Sequence, residues 1–322
     1  MRLLACLVAV LALLAQPALA GPRVQCVAPA KSGGGFDLTC QLLRQALRLP
    51  AAGAPSEVDI RYLPGGIGAV AFDRAITQRW SDPATVVAFS TGSLVNLAQG
   101  KFGRHSADDV QWLATLGIEY GVVAVRKGSS LDSLEAVRAR LRTDPAGLVF
   151  GAGGGVGSQD GIKAALLVKA SGKDHRAMRF VSFEGGGQAI AALRGGHVDV
   201  FCGDAAEATQ AFLDGEIRIV AVLAPERLAG PLAQVPTARE QGLDLVWPTV
   251  RGLYMGPGVQ ARDYEEWARN LRKVMASPEF AREARARGLQ PLPMVGTEVQ
   301  QHVRSEVDRL RKLAESLHLS TR

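Results

Sequence analysis

Val24-Gln25-Cys26-Val27-Ala28-Pro29-Ala30-Lys31-Ser32-Gly33-Gly34-Gly35-Phe36-Asp37-Leu38 runs from an apolar strand-like segment through a glycine cluster into a helix. The helix declares itself by Leu38, Leu42, Leu43, Ala46 and Leu47, which recur at helical spacing. The same unit returns along the chain. Strand 58–63 meets Pro64-Gly65-Gly66 and a helix over 67–79; strand 84–89 meets Ser90-Thr91-Gly92-Ser93. Strand 148–150 leads into Gly151-Ala152-Gly153-Gly154-Gly155-Val156-Gly157-Ser158 and a helix from Gln159. Strand 179–182 meets Glu184-Gly185-Gly186-Gly187, and strand 197–201 meets Gly203-Asp204, each followed by a helix. Strands alternating with helices predict an α/β fold of parallel sheets covered on both faces. Ligands of such sheets lie beyond the carboxyl ends of the strands, and the glycine clusters fall at those ends.

A strand, a glycine loop and a helix start together present backbone N–H groups at the positive end of a helix dipole, which suits a carboxylate or phosphate. More specific chemistries fit poorly. Gly66-Ile67-Gly68-Ala69-Val70-Ala71 has a dinucleotide-binding spacing, but the next strand ends in Phe89-Ser90-Thr91 with no acid for a ribose hydroxyl. Gly157-Ser158-Gln159-Asp160-Gly161 resembles a nucleophile turn, yet position 156 is Val where that motif needs Gly. No phosphate loop occurs, and the histidines at 105, 175, 197, 302 and 318 are scattered without metal-ligand spacing. The sequence therefore predicts binding groups with no catalytic set, no metal and no cofactor.

The chain has 322 residues, enough for about two domains. Its 47% apolar and 21% charged content is that of a folded chain. The net charge of +6 suits an anionic partner. The last helices, over 259–276, 277–287 and 297–317, interleave 13 basic with 9 acidic residues from 251 onward, a solvated face and not a nucleic-acid surface. Arg2, the apolar run 3–15 and Ala18-Leu19-Ala20 form a secretory signal over 1–20, with a lipoprotein signal at Cys6 as the weaker rival. No later stretch is apolar enough to span a membrane. Of the cysteines that remain, Cys26, Cys40 and Cys202, buried free thiols are the favoured reading and a Cys26–Cys40 bridge is left open.

These segments resemble the TctC/Bug family of periplasmic solute receptors that serve tripartite tricarboxylate transporters. The resemblance rests on Ala28-Pro29-Ala30-Lys31-Ser32-Gly33-Gly34-Gly35-Phe36-Asp37, Pro64-Gly65-Gly66-Ile67-Gly68-Ala69 and Val156-Gly157-Ser158-Gln159-Asp160. It continues in order through Phe183-Glu184-Gly185-Gly186-Gly187, Gly195-Gly196-His197-Val198-Asp199-Val200 and Val235-Pro236-Thr237-Ala238-Arg239-Glu240-Gln241-Gly242. Trp247-Pro248 with Arg251-Gly252 resembles the tricarboxylate-type branch.

The resemblance implies a two-lobed periplasmic-binding-protein fold (type II-like), with two doubly wound sheets and a hinged cleft. Residues 21–120 would begin lobe one, 121–248 form lobe two, and 249–322 return to lobe one. It further implies a monomeric, non-enzymatic periplasmic receptor that binds a citrate-like di- or tricarboxylate and hands it to membrane transporter subunits, with no nucleic acid and no membrane span of its own. A ligand-sensing subunit for a signalling partner and a secreted hydrolase using Ser158 are the alternatives.

The implied ligand residues are Ser32, Gly33, Gly34, Gly35, Phe36 and Asp37 in the first loop and Gly65, Gly66 and Ile67 in the second. Ser90, Thr91 and Ser93 add to that side, while Gly157, Ser158, Gln159, Gly185, Gly186, Asp204 and Arg251 close from the other. Asp37 and Asp204 equally suit helix caps, Phe36 a place beneath the pocket, and Arg251 a hinge ion pair. Glu184 beside an anion would be unfavourable unless it faces away or is protonated.

Overall fold

The computed structural model describes residues 23–53 and 57–319; residues 1–20, where the sequence predicts an export signal, lie outside the described residues. The first part comprises β1 (Arg23–Ala28), α1 (Gly35–Ala46), β2 (Glu57–Tyr62), α2 (Ala69–Thr77), β3 (Thr85–Ser90), α3 (Thr91–Ala98) and the long β4 (Gln111–Arg126). Next come α4 (Leu134–Thr143), β5 (Val149–Gly153), α5 (Gln159–Ala170), β6 (Arg179–Phe183), α6 (Gly186–Arg194), β7 (Val200–Asp204), α7 (Ala205–Leu213) and β8 (Ile217–Leu223). The chain ends with β9 (Pro248–Met255), α8 (Ala261–Met275), α9 (Pro278–Ala286) and α10 (Thr297–Ser316).

The strands form one mixed sheet in the order β2-β1-β3-β9-β4-β7-β5-β6, with β8 also paired to β4. β1, β2 and β3 run parallel, as do β5, β6 and β7. That much follows from the strand–helix alternation. β4 and β9 cross the middle antiparallel, and β8 joins them. β4 pairs with β9 as far as Tyr120 and with β7 and β8 from Gly121 onward, so one strand belongs to two wings of the sheet.

The inner strands β1, β3, β4, β7 and β8 are buried on both faces and are near-continuous apolar runs, whereas the edge strands β2 and β6 are largely exposed. Val27, Val87 and Phe89 point to a core shared with Phe72 of α2 and Leu94 of α3, while Cys26, Val86 and Ala88 point to one shared with Leu43, Leu271 and Phe280. The same alternation along β4 sends Val123 to the first core and Val122 to a third with Phe201 and Ile219. Ser277 caps α9 by accepting from the Phe280 N–H at 3.2 Å, with Pro278 at the first helical position, as the sequence predicts. The last helix does more than complete the first wing. Val307 and Leu310 of α10 belong to the same continuous core as Leu141 and Leu167, and His175 Nε2 lies 3.0 Å from the Leu317 carbonyl.

Cys26 and Cys40 form a disulfide, with their Cα atoms 5.7 Å apart, and Cys202 is a buried free thiol. The free-thiol reading of the first two is thereby corrected. β1 and α1 pack side by side, which brings together two residues that sequence spacing could not place. The bridge closes the loop that precedes α1. A cross-link of this span stabilises by about 3 kcal/mol through the unfolded chain. The double variant Cys26→Ala/Cys40→Ala is expected to unfold at lower urea by that amount; an unchanged midpoint would contradict a structural role for the bridge.

Candidate functional site

The loop between β1 and α1 is shaped by Asp37. Its Oδ2 accepts from the Gly33 N–H at 2.8 Å and its Oδ1 from the Tyr62 hydroxyl at 2.9 Å, so the carboxylate is spent on folding the loop back over the helix start. Gly34 caps α1 without a side chain, which leaves first-turn amides of the helix unsatisfied by the cap. Phe36 is buried with the core beneath and Ser32 is exposed. A Cβ on Gly34 would meet nothing within 4 Å, whereas one on Gly35 would collide with the Arg251 guanidinium. The helix start is therefore open at Gly34 and closed by a cation at Gly35.

In the second loop Gly65, Gly66, Ile67 and Gly68 all have positive φ. Ile67, at φ 53° and ψ 47°, is a β-branched residue in the left-handed region, a conformation that surrounding structure must enforce. Asn96 Nδ2 holds the loop by donating to the Gly66 carbonyl at 2.9 Å. The Ile67 side chain lies against Gly92 and Gly154, close enough that a Cβ on Gly154 would stand 2.9 Å from its Cδ1. At the third loop Ser90 and Ser93 form a capping box on α3, and Thr91 Oγ1 accepts from the Val250 N–H.

Ser158 caps α5. Its hydroxyl accepts from the Gly161 N–H at 3.2 Å and donates to the Gly153 carbonyl at 2.8 Å; among the described residues no histidine or acid bonds to it. The wings meet here. The Gly157 carbonyl accepts from Gln99 Nε2 at 2.8 Å and Lys101 Nζ at 3.2 Å, and Lys31 pairs with Glu184. That last pair removes the difficulty of Glu184 near an anion. Gly185, the cap of α6, also opens onto space: a Cβ there would meet nothing within 4 Å.

Beneath these loops lies a buried set of charges. Asp204 Oδ1 accepts from Lys163 Nζ at 2.5 Å and Thr249 Oγ1 at 2.9 Å, and its Oδ2 from Gln159 Nε2 at 2.8 Å and Arg251 Nη2 at 3.1 Å. Lys163 also pairs with Asp160 at 2.8 Å. Arg251 Nε donates to Glu119 at 2.7 Å, and Glu119 Oε2 accepts from the Ala206 N–H at the start of α7. Against the cost of burial, Lys163 and Arg251 hold Asp204 below the usual carboxylate range. Of the three guanidinium nitrogens of Arg251, Nη1 alone has no hydrogen-bond partner among the described residues.

The three first-wing loops and the two second-wing loops named from the sequence are thus brought together, with Asp204 and Arg251 below them. Asp204 does not cap α7 by its side chain; it is the hub of the ion pairs. Glu119, Asp160, Lys163 and Glu207 escaped the sequence reading. Two signals were visible: Glu119 is the lone acid in the apolar run 113–125, and Asp160 and Lys163 stand three apart on a helix that is apolar throughout 164–168. Among the described residues no group of three or more histidines, cysteines or acids could hold a metal. A surface pocket of about 330 Å³ by Gln25, Arg61, Trp80 and Thr85 sits at the starts of β1 and β3, away from the loop ends where the amides converge.

Solved structures share this fold. MatC (Rpa3494) from Rhodopseudomonas palustris, with bound malate, superposes with a TM-score of 0.76 at 22% identity, covering 90% of this chain and 98% of that one. Rpa4515 from R. palustris, with adipate, gives 0.81 at 21% identity, with 93% and 99% covered. The periplasmic binding protein BugD gives 0.80 at 18%, with 92% and 98% covered. The chain therefore has the α/β periplasmic-binding-protein fold. No curated protein matches it in sequence. The model of the TctC family, described as the tripartite tricarboxylate transporter family receptor, matches residues 64–319. With its curled mixed sheet and its loops converging at the strand ends, this chain belongs to the TctC receptor family.

Proposed function

We propose that the protein is a periplasmic receptor that captures a small di- or tricarboxylate, citrate-like in size, between its wings and passes it to a tripartite tricarboxylate transporter. In this reading residues 1–20 are the export signal, 21–120 and 249–322 form one lobe, and 121–248 form the other. The change of pairing partner along β4 between Tyr120 and Gly121 supports that division.

One observation carries the proposal. The caps of α1 and α6, Gly34 and Gly185, both open onto unfilled space, and the Lys31–Glu184 pair ties their loops together. Two helix starts and Arg251 Nη1 then offer donors to an anion held between them. The malate and adipate held by MatC and Rpa4515, which superpose at TM-scores of 0.76 and 0.81, support a carboxylate ligand. No bond of the ligand is broken in this reading, since the Ser158 hydroxyl is occupied with capping. Capture would hide the ligand charge behind backbone dipoles as the lobes close.

A thermal melt of residues 21–322 against carboxylates, amino acids and sugars tests the class. A ligand at 100 times its dissociation constant stabilises by about 2.7 kcal/mol, a midpoint rise of several degrees. The expected result is a rise confined to polycarboxylates. A rise with amino acids or sugars alone would contradict it.

A further inference from the structure

Glu207 stands apart from the other buried charges. It lies in the first turn of α7, partly buried, and no hydrogen bond or ion pair among the described residues reaches its carboxylate. The carboxylate is pressed against Gly186, the first residue of α6, so closely that a Cβ there would collide with it. Its charged neighbours are Asp204 from β7, Asp160 from α5, Glu119 from β4 and Arg251 from β9, and α6 presents only backbone at this point. The cluster therefore holds four carboxylates against the two cations Lys163 and Arg251, and both cations are already engaged by the other three acids. An ionised Glu207 would make the cleft floor repel the carboxylate that the helix starts attract.

We infer that Glu207 is a proton-carrying ligand contact: its neutral carboxyl donates O–H to a carboxylate of the ligand at the start of α6. The inference rests on the receptor reading above. A neutral acid beside an anion is both a donor and a removed repulsion, whereas the ionised form is neither. Burial first, and then Asp204 and Asp160, push the Glu207 carboxyl up to about 8, so the neutral form prevails at neutral pH. Above that value each ligand captured must bring a proton with it, and affinity declines about tenfold per pH unit.

The test is calorimetric titration of wild-type protein and Glu207→Gln with malate and with citrate between pH 6 and pH 9.5, in buffers of different ionisation enthalpy. Wild type is expected to lose affinity above pH 8 and to take up close to one proton per ligand at pH 9.5. Glu207→Gln, which keeps a donor but cannot ionise, is expected to show no proton uptake and to bind more tightly than wild type at pH 9.5. A wild-type affinity that is flat with pH, or a slope retained in Glu207→Gln, overturns the inference and leaves the receptor reading standing. Failure of every carboxylate to bind at any pH overturns the receptor reading itself, and this inference with it.

A ligand-free readout accompanies the titration and shows whether the variant folds. A carboxyl raised from its ordinary value near 4.5 contributes stability that is present below that value and lost as pH rises through about 8. Melting of the free protein should therefore fall across that window, less steeply in Glu207→Gln. Equal slopes would contradict the assignment.

Discussion

Replacing Lys163 by methionine is expected to lower the stability of the protein by about 3–5 kcal/mol, the cost of leaving a buried ion pair half removed. Methionine matches the stem of the lysine in shape, so packing is preserved and the effect is electrostatic. Lys163 is fully buried and holds both Asp160 and Asp204, themselves 6% and 2% exposed. Its stem lies against Gly121, where a Cβ would stand 3.0 Å from Cδ; the glycine at the partner change of β4 is what admits the side chain. Without the ammonium, Asp204 keeps Arg251, Thr249 and Gln159, but Asp160 loses its cation. The cluster then carries three carboxylates near Arg251 alone, with Glu207 still beside them.

Urea unfolding measures the loss, and its pH dependence identifies the cause. Orphaned acids have raised pKa values in the folded state, so the penalty is relieved as pH falls and they become protonated. Adding Asp160→Asn to Lys163→Met should recover part of the stability, because removing both partners of a buried pair costs far less than removing one. A loss below 1 kcal/mol in the single variant, or no recovery in the double one, would mean that the cluster is not an energetic unit.

The sequence carried the strand–glycine–helix units well because each is a local matter. Helical spacing from Leu38 to Leu47, the Ser277-Pro278 start and the glycine clusters each depend on neighbours within a few residues. The loops were therefore assignable to strand ends, and the convergence of those ends follows from the α/β architecture. The long β4 and its pairing with β9, β8 and β7 were not readable in the same way. An apolar run buried on both faces has no period that names its partner.

The grouping of the buried charges was not readable for a related reason. Asp204 and Arg251 could be named singly, but Glu119, Asp160, Asp204, Glu207 and Arg251 come from separate elements, and their grouping exists only once β4 and β9 cross the sheet. Individual roles also shifted. Asp37 shapes the first loop, Ser158 caps a helix, and Arg251 takes the ion-pair role weighed for it, fixed by Glu119 and Asp204, while a ligand contact through its Nη1 belongs to the proposed function. The left-handed Ile67 had no local signal, since Gly-x-Gly leaves the conformation of the middle residue undetermined. Its contacts with Gly92 and Gly154 explain why those two positions have no side chain.

The central issue is whether the space between Gly34 and Gly185 is where the ligand sits, and titration of Gly34→Leu with the carboxylate that binds wild type addresses it most directly. Gly34 has φ −101°, a backbone any residue adopts, and a Cβ there meets nothing within 4 Å, so leucine should fold with little strain. Its side chain would then fill the space in front of the α1 amides. The expected result is a melting midpoint within a few degrees of wild type and an affinity at least about 100-fold weaker, the equivalent of about 2.7 kcal/mol. Affinity unchanged in a folded Gly34→Leu protein would contradict this site and send the search for the ligand elsewhere on the molecule.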